Sequence, residues 1–295
     1  MAATAEQLQA LARIEKSPGY WQTVGRRLMR DPVAVGAGII ILILLSLAIF
    51  APWIAPHDPY HGRMLGRLSP IGTPGHPLGT DELGRDMLSR LIYGGRLSLF
   101  MGITPVFIAF FVGSAIGVAA GYIGGTFNSI VMRTLDVLFA FPSVLLAIAL
   151  SGALGAGIVN GLIALTVVFI PPIARIAESV TTSVRKLEYV EAARASGANA
   201  FTVVRVHVLG NVLGPIFVYA TSLISVSMIL AAGLSFLGLG VRPPEPEWGL
   251  MLNTLRNAIY VQPWLAALPG VMIFLTSISF NLLSDGLRSA MDIKT

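Results

Sequence analysis

The chain has 295 residues, of which 55% are hydrophobic and only 12% are charged, whereas soluble domains carry about 25% charged residues. This composition predicts an all-α integral membrane protein with little sequence left for a soluble domain. Because the chain has no cysteine, a disulfide framework, a cysteine-based metal site and a thiol nucleophile are excluded. The net charge of +5 bears on orientation in the membrane and does not indicate binding to nucleic acid.

Charge-free runs predict six membrane-spanning helices, because a helix needs about 20 apolar residues to cross roughly 30 Å of hydrocarbon. The chain divides into a tail at 1–31, a first span at 32–56, a polar segment at 57–96, a five-helix core at 97–289 and a tail at 290–295. Within the core, glycine-rich turns at 121–128 and 151–161 separate the second, third and fourth spans. The fifth and sixth spans lie within 206–241 and 257–284.

Lysine and arginine predict the orientation of these spans. Five of them lie in the tail at 1–31 and five more within 175–205, so both regions are predicted to be cytoplasmic. The segment at 57–96 carries five arginines as well. We nevertheless expect it to be extracytoplasmic, because its length weakens the rule and its acidic residues balance the charge. Both termini would then face the cytoplasm.

The predicted cytoplasmic loop at 178–211 contains the most informative stretch, YVEAARASGANAFTVVRVHVLGN at 189–211. Glu191 and the alanines after it favour helix, Gly197 provides a stop with positive φ, and Asn199 can cap a second helix. The pattern predicts two short helices with a break between them, a helical elbow held between two spans. Such an elbow is a surface for a partner, and the alternative is an ordinary alanine-rich loop helix.

The spacing of Glu-Ala-Ala, three residues, glycine and an apolar run ending in Leu209 and Asn211 resembles the EAA loop of the membrane-spanning subunits of ATP-binding cassette importers. In that family the loop forms the helix that docks on the ATPase. Further segments, among them HPLGTDELGRDMLSRLIYGGRLSL, resemble the second permease subunit of dipeptide and oligopeptide importers; they lie at 31–59, 76–99, 141–150, 234–252 and 280–292. The resemblance implies a six-helix permease of the type I importer fold in the inner (plasma) membrane, with spans two to six forming the shared core.

The end of the loop departs from the family pattern. The family usually has Ile-Leu-Pro-Asn there, whereas this chain has Val208, Leu209, Gly210 and Asn211. Glycine lacks the fixed φ of proline and restores an N–H group. We therefore expect a looser entry into span five.

The resemblance also suggests roles for individual loop residues. Glu191 is predicted to make a polar contact with the ATPase, and Ala192 and Ala193 to allow close backbone approach. Gly197 is predicted to make the turn, and Leu209 to end the elbow.

ATP binding is predicted to lie outside this chain. A P-loop needs a lysine directly after a glycine, and none of the three lysines follows one. The chain should therefore have no catalytic residue and no cofactor, with ATP and Mg²⁺ bound by two partner ATPase subunits. The other implied partners are a homologous permease in a heterodimer, an extracytoplasmic solute-binding protein and membrane lipid.

At the predicted extracytoplasmic face, Asp81, Arg85, Glu245 and Trp248 are candidates for contacts with the binding protein or for the outer gate. The charged residues between 81 and 90 are also expected to form an amphipathic, salt-bridged helix. Three prolines rule out a regular helix at 243–246, and Trp248 could alternatively be an anchor at the membrane interface.

Other polar and proline residues have alternative interpretations. Asp136 and Glu178 could relay protons, although Asp136 lies three residues after Arg133 and could pair with it. Pro171 and Pro172 are expected to mark a kink near the end of span four, or to act as a hinge. The polar segment holds three histidines without metal-ligand spacing, so no metal site is predicted: His57, His61 and His76.

The predicted function is that of a permease subunit of an ATP-driven importer for short peptides or a related small solute. Relatives of this family also carry glutathione, nickel complexes, opines and some sugars. The alternative is a secondary transporter driven by an ion gradient, which should show internal repeats or interrupted helices with polar groups at the membrane midplane. A scaffolding membrane protein is a third class, but it would have no reason for the ordered family segments.

Overall fold

The computed structural model describes residues 20–291, so the parts of the two predicted tails at 1–19 and 292–295 lie outside the described residues. The described residues form helices and no strand. In chain order the helices are α1 (Tyr20–Leu28), α2 (Pro32–Ile49), α3 (Ala51–Ile54), α4 (Met87–Ile123), α5 (Gly125–Phe139), α6 (Ser143–Leu154), α7 (Ile158–Val184), α8 (Glu188–Ala195), α9 (Ala200–Val203), α10 (Leu209–Phe236), α11 (Trp248–Thr254) and α12 (Pro263–Met291). A π-helical turn, Val204–Val208, joins α9 to α10.

Six membrane-spanning units account for most of these helices. Five are continuous and apolar: α2, α4, α7, α12 and the unbroken helix Ala200–Phe236, which contains α9, the π turn and α10. The sixth is the pair α5 and α6, which is bent by 85° at the break between Phe139 and Ser143. The predicted all-α fold with six spans is confirmed, and the third span is a broken helix.

Several span boundaries differ from the prediction. Helix α4 begins at Met87, within the predicted polar segment, because the side chain of Asp86 caps its N-terminus. Helix α7 runs to Val184, into the predicted cytoplasmic loop at 178–211. Pro171 and Pro172 therefore lie in the middle of a continuing helix, and the expectation that they lie near its end was wrong.

Glycines bring α4 and α7 into close contact. Gly113, Gly117 and Gly121 lie one turn apart on the face of α4 that meets α7. A Cβ atom on Gly117 would overlap the carbonyl oxygen of Ala174, and one on Gly121 would lie 2.7 Å from that of Glu178. The contacting residue numbers rise together along both helices, so the helices run parallel, and small residues set their separation.

Different segments of the chain lie at the two ends of the helix bundle. At one end, Gly286 of α12 lies against Ala34 of α2, and Ser284 Oγ donates a hydrogen bond of 3.0 Å to the carbonyl oxygen of Val218 in α10. Helix α8 lies at this end, which we call the Glu-Ala-Ala end, and so do both ends of the described chain. The segment 55–86 and α11 lie at the opposite end, where α11 packs on the start of α4 and the last turns of α10.

We expect Gly117→Ala to destabilise the protein, because the added methyl group has no space between α4 and α7. Overpacking of this kind costs about 1–3 kcal/mol. Gly36→Ala in α2 is the matched control, since a Cβ at Gly36 meets no atom within 4 Å. The measurement is the thermal unfolding temperature of the purified protein, together with its abundance in the membrane. An unchanged unfolding temperature in Gly117→Ala would contradict this packing.

Candidate functional site

Helix α8 is the first arm of the predicted elbow, and its end has the geometry that the sequence indicates. Gly197 has a φ of +85°. Its N–H donates to the carbonyl oxygen of Arg194 at 3.0 Å, and the N–H of Ala198 donates to that of Ala193 at 3.2 Å. This pair of bonds is a Schellman motif, which requires a left-handed residue at the position of Gly197. Asn199 then caps α9, because its side chain accepts from the backbone N–H of Thr202 at 2.8 Å.

The second arm differs from the prediction, because it is not a separate short helix. Helix α9 passes through the π turn into α10, and the N–H of Leu209 donates to the carbonyl oxygen of Val204, five residues back. Gly210 lies inside α10 with no other atom within 4 Å of its Cβ position. A proline there would remove a helical N–H. Gly210, in place of the proline that the family usually has, therefore lies in an unbroken helix, and the wide π turn at Val204–Val208 precedes it in that helix.

Buried side chains fix the elbow to the core of the bundle. Val190 of α8, Val203 of α9 and Val208 of the π turn are all fully buried in one apolar cluster with residues of the spans. Asn211 adds a polar link, since its Nδ2 donates to the hydroxyl oxygen of Tyr189 at 3.1 Å. Helix α8 is thus held on the start of α10.

Two arginines bind Tyr122 in the last turn of α4, one from the end of α7 and one from the elbow. Arg185, directly after α7, donates from Nη1 to the carbonyl oxygen of Tyr122 at 2.8 Å. Arg194 of α8 places its guanidinium carbon 4.8 Å from the centre of the Tyr122 ring, a cation–π distance. The elbow therefore contacts the last turn of α4 and the start of α10, and Arg185 holds the end of α7 on the end of α4.

The outward surface of the elbow combines charged and apolar side chains. Glu191 and Ala192 are exposed, whereas Ala193 and Leu209 are half-buried and pack against the core cluster. The sequence reasoning missed three exposed apolar residues, with exposed fractions of 45%, 74% and 60%: Leu187, Phe201 and Val206. The sequence signal for these residues was the presence of large apolar side chains beside arginines in a loop predicted to be polar. An exposed apolar patch with polar neighbours is typical of a protein interface.

At the opposite end, the charged residues between 81 and 90 do not form the expected amphipathic helix. The Oδ1 atom of Asp81 accepts the backbone N–H groups of Leu83 and Arg85, both at 2.9 Å, which makes a tight turn. Its Oδ2 pairs with Arg85 Nε at 2.7 Å and with Arg90 Nε at 3.1 Å. Asp81 and Arg85 are buried. Their side chains hold the segment together, so they do not offer a surface to the binding protein.

Trp248 is also buried, and the expectation that it anchors at the membrane interface was wrong. Its side chain is 1% exposed and lies against Gly94 and Gly95 of α4. Its Nε1–H donates to the carbonyl oxygen of Leu91 at 2.9 Å. The missing side chains at the two glycines create the space for the indole. Of the four outer candidates, Glu245 is the one with partial exposure, and its carboxylate accepts from the Tyr60 hydroxyl at 3.0 Å.

Glu247, which the sequence reasoning missed, fixes α11 on α4. It is 1% exposed, and it caps α11 by accepting the backbone N–H groups of Gly249 at 2.9 Å and Leu250 at 2.8 Å. It also accepts the hydroxyl of Ser98 in α4 at 3.0 Å. Burial raises the pKa of the Glu247 carboxyl, and these hydrogen bonds partly oppose that rise. Glu247 is thus a buried residue that stabilises the fold, whereas Glu245 is partly exposed.

We expect Glu247→Ala to destabilise the protein, because two N–H groups of α11 and the Ser98 hydroxyl would lose their acceptor. Loss of a helix cap costs about 0.5–2 kcal/mol, and buried groups left unpaired add to this. Glu245→Ala is the matched control, since it removes one contact with Tyr60. The measurement is the thermal unfolding temperature of the purified chain, which should fall further in Glu247→Ala than in Glu245→Ala. Equal losses would contradict the role given to Glu247.

The two acids considered for proton relay both have local partners. Asp136 of α5 forms an ion pair with Arg175 of α7, and not with Arg133 as its spacing suggested. The two side chains of this pair are half exposed, at 50% and 53%. Glu178 accepts hydrogen bonds from Asn128 at 2.6 Å and from Thr182 at 3.0 Å. These contacts join α5 to α7.

Two of the three histidines in the polar segment meet one shared aspartate, Asp86, in the fold. The rings of His57 and His76 lie 4.8 Å apart between centroids, and both face Oδ1 of Asp86. His61 lies apart from them and pairs with Asp58 at 2.8 Å. The absence of metal-ligand spacing in the sequence therefore did not exclude a metal-ligand arrangement in space.

Comparisons with known proteins agree with this geometry. Residues 113–294 match the family model described as binding-protein-dependent transport system inner membrane component, and residues 19–70 match the N-terminal TM domain of oligopeptide transport permease C. The glutathione transport system permease protein GsiD of Pectobacterium atrosepticum is 43% identical over 274 residues, which cover 93% of this chain and 91% of the relative. GsiD of Escherichia coli O6:K15:H31 is 42% identical over the same length, covering 93% of this chain and 90% of the relative.

Among solved structures, the inward-facing MetNI methionine ABC transporter matches with a TM-score of 0.56 and 20% identity, covering 69% of this chain and 97% of that chain. That likeness supports the fold. Fold and elbow together define a membrane permease of the type I ATP-binding cassette importer class. The chain belongs to the family of binding-protein-dependent transport system inner membrane components, and it is a permease subunit of an ATP-driven importer.

Proposed function

We propose that this permease imports short peptides or a closely related solute such as glutathione, and that α8 receives the movement of the ATPase subunits. The observation that carries the coupling role is that α8 contacts the ends of α4 and α10, while a short turn joins it to the end of α7, which Arg185 holds on α4. A movement of this one helix therefore acts on three spans. The similarity to glutathione transport permeases over most of the chain favours a peptide-like solute.

The partners in this proposal are two ATPase subunits, a homologous permease and an extracytoplasmic solute-binding protein. The exposed apolar side chains of Leu187, Phe201 and Val206 support an ATPase contact. Helix α5 has no buried residue among those described, and α6 buries only Ala147 and Ser151, so this broken span offers a large face to a second permease or to lipid. ATP and Mg²⁺ belong to the ATPase subunits, and this chain hydrolyses no ATP.

Transport in this proposal follows alternating access. ATP binding closes the ATPase pair, α8 moves with it, and the pathway between the two permeases opens toward the loaded binding protein. Hydrolysis separates the ATPase subunits and completes delivery to the cytoplasm. The ion-gradient alternative has no observation in its favour, because the break in the third span, at Ala140, Phe141 and Pro142, carries no ionisable side chain.

The orientation assigns the Glu-Ala-Ala end to the cytoplasm, as its arginines indicate. Single cysteines at the exposed positions Leu65 and Tyr260 should react with an impermeant thiol reagent in intact cells, and one at Ser196 should not. The chain has no native cysteine, so each signal comes from one site. Permeabilised cells provide the control for Ser196. Labelling at Ser196 in intact cells would reverse the orientation.

Gly197→Val should uncouple transport from ATP hydrolysis. A Cβ at Gly197 meets no atom within 4 Å, so the cost arises from the backbone conformation, and a β-branched residue in the left-handed region costs about 1–2 kcal/mol. The Schellman motif would be lost, and α8 would be re-aimed. We expect normal membrane abundance with reduced ATPase association, reduced solute-stimulated hydrolysis and reduced transport. Gly197→Asn should retain more activity, since asparagine tolerates positive φ.

Gly238→Val is the matched strain control for this experiment. Gly238 has a φ of +79° and equally open space, but it lies beyond α10 at the opposite end. The Gly238→Val substitution should leave association with the ATPase subunits unchanged. Glu191→Ala should reduce coupling mildly, because an exposed charged contact contributes up to about 1 kcal/mol. If Gly197→Val transports at the parental rate with normal ATPase association, α8 is not the coupling element.

A further inference from the structure

We propose that His57, His76 and Asp86 form a binding site for one divalent transition-metal ion, best suited to Zn²⁺, at the end of the bundle opposite the Glu-Ala-Ala end. One ligand atom from each residue lies within 4.8 Å of the other two. Two imidazoles and one carboxylate are a common ligand set for zinc, with a fourth position left for water or another ligand. The proposal concerns this segment alone and does not depend on the proposed transport function.

The distances are close to those that a bound ion needs. Asp86 Oδ1 lies 2.8 Å from His76 Nδ1 and 3.7 Å from His57 Nδ1. Zinc–ligand bonds of about 2.0–2.1 Å in tetrahedral geometry place neighbouring ligand atoms roughly 3.3 Å apart. The two observed distances lie on either side of this value. The ligand atoms of the two imidazoles lie within 4.8 Å of each other, so completing the site requires them to approach by up to about 1.5 Å.

The carboxylate is already positioned by its own hydrogen bonds. The Asp86 side chain is fully buried, and its Oδ2 accepts the backbone N–H of Ser89 at 2.8 Å and the Ser89 hydroxyl at 2.7 Å. Oδ1 is thereby left facing the two imidazoles. Hydrogen bonds that fix a ligand in this way are typical of metal sites.

The two histidines are held at the same place by the backbone. The N–H of His57 donates to the Ser89 hydroxyl oxygen at 3.0 Å, and the N–H of His76 closes a turn to the carbonyl oxygen of Thr73 at 2.8 Å. Their side chains are 43% and 31% exposed. An ion therefore has a path from solvent, and the fourth position can hold water.

The three ligands come from separate parts of the segment. His57 follows α3, His76 lies in a turn, and Asp86 caps α4. A bound ion would therefore cross-link the exit of the first span to the start of the second, and it would stabilise the segment between them. His61 and Asp58 form a histidine–carboxylate pair at the same distance of 2.8 Å but with no third ligand, and their side chains are 86% and 52% exposed. This pair provides an internal control.

The test uses the full chain, purified without a polyhistidine tag together with its partner permease and stripped of metal by a chelator. Zn²⁺ alone is titrated by calorimetry, and the coordination is read by zinc X-ray absorption. We expect one Zn²⁺ per chain with two imidazole nitrogens in its shell. His57→Gln and His76→Gln should each weaken binding at least about tenfold, and His61→Gln should leave it unchanged.

A second measurement does not depend on the folding of the variants. Zn²⁺ should raise the thermal unfolding temperature of the parental chain and of His61→Gln by the same amount, because a ligand that binds only the folded state stabilises it. Absence of stoichiometric binding by the parental chain would overturn the proposal. Equal binding by the parental chain and the His57 and His76 variants would also overturn it, because the ion would then lie elsewhere.

Discussion

The close approach of α4 and α7 is the contact on which the rest of this structure depends. Three glycines on α4 let the backbones meet, and the two helices therefore run side by side from Gly113 to Gly121. Because α8 follows α7 after a short turn, the position of α8 is set where α7 ends. Arg185 completes this arrangement by binding the carbonyl oxygen of Tyr122 at the end of α4. The close packing of α4 on α7 thus determines where α8 lies.

At the opposite end of the bundle, buried charged side chains fix the position of neighbouring segments. Asp81 holds two arginines and two backbone N–H groups, and Glu247 caps α11 while it binds α4. Removing one member of such a group leaves the others unpaired in a place that water does not reach, which is why buried charged groups are found in satisfied sets. The polar residues at this end are therefore mainly internal supports, and Glu245 remains the candidate for a partner contact.

Local chemistry explains which features could be predicted from the sequence. The spans follow from the thickness of the hydrocarbon, and Gly197 and Asn199 follow from the backbone rules for helix ends. Features that depend on distant residues were missed. The alternation of charges from Asp81 to Arg90 resembles an exposed helical face, although the charges pair in a buried turn. His57 and His76 meet only because the segment folds back on itself.

In the proposed coupling role, the elbow would act on the spans by two routes, one through direct contacts between helix ends and one through the π turn. Toward α4 and α7 the route consists of Arg185, Arg194 and Tyr122, which connect helix ends directly. Toward α10 the route passes through the π turn, where the hydrogen bond of Leu209 spans five residues in place of four. A wide turn of this kind is a recurrent place for a helix to change direction. Movement of α8 is therefore expected to displace α4 and α7 together, while α10 adjusts its angle at residues 204–208.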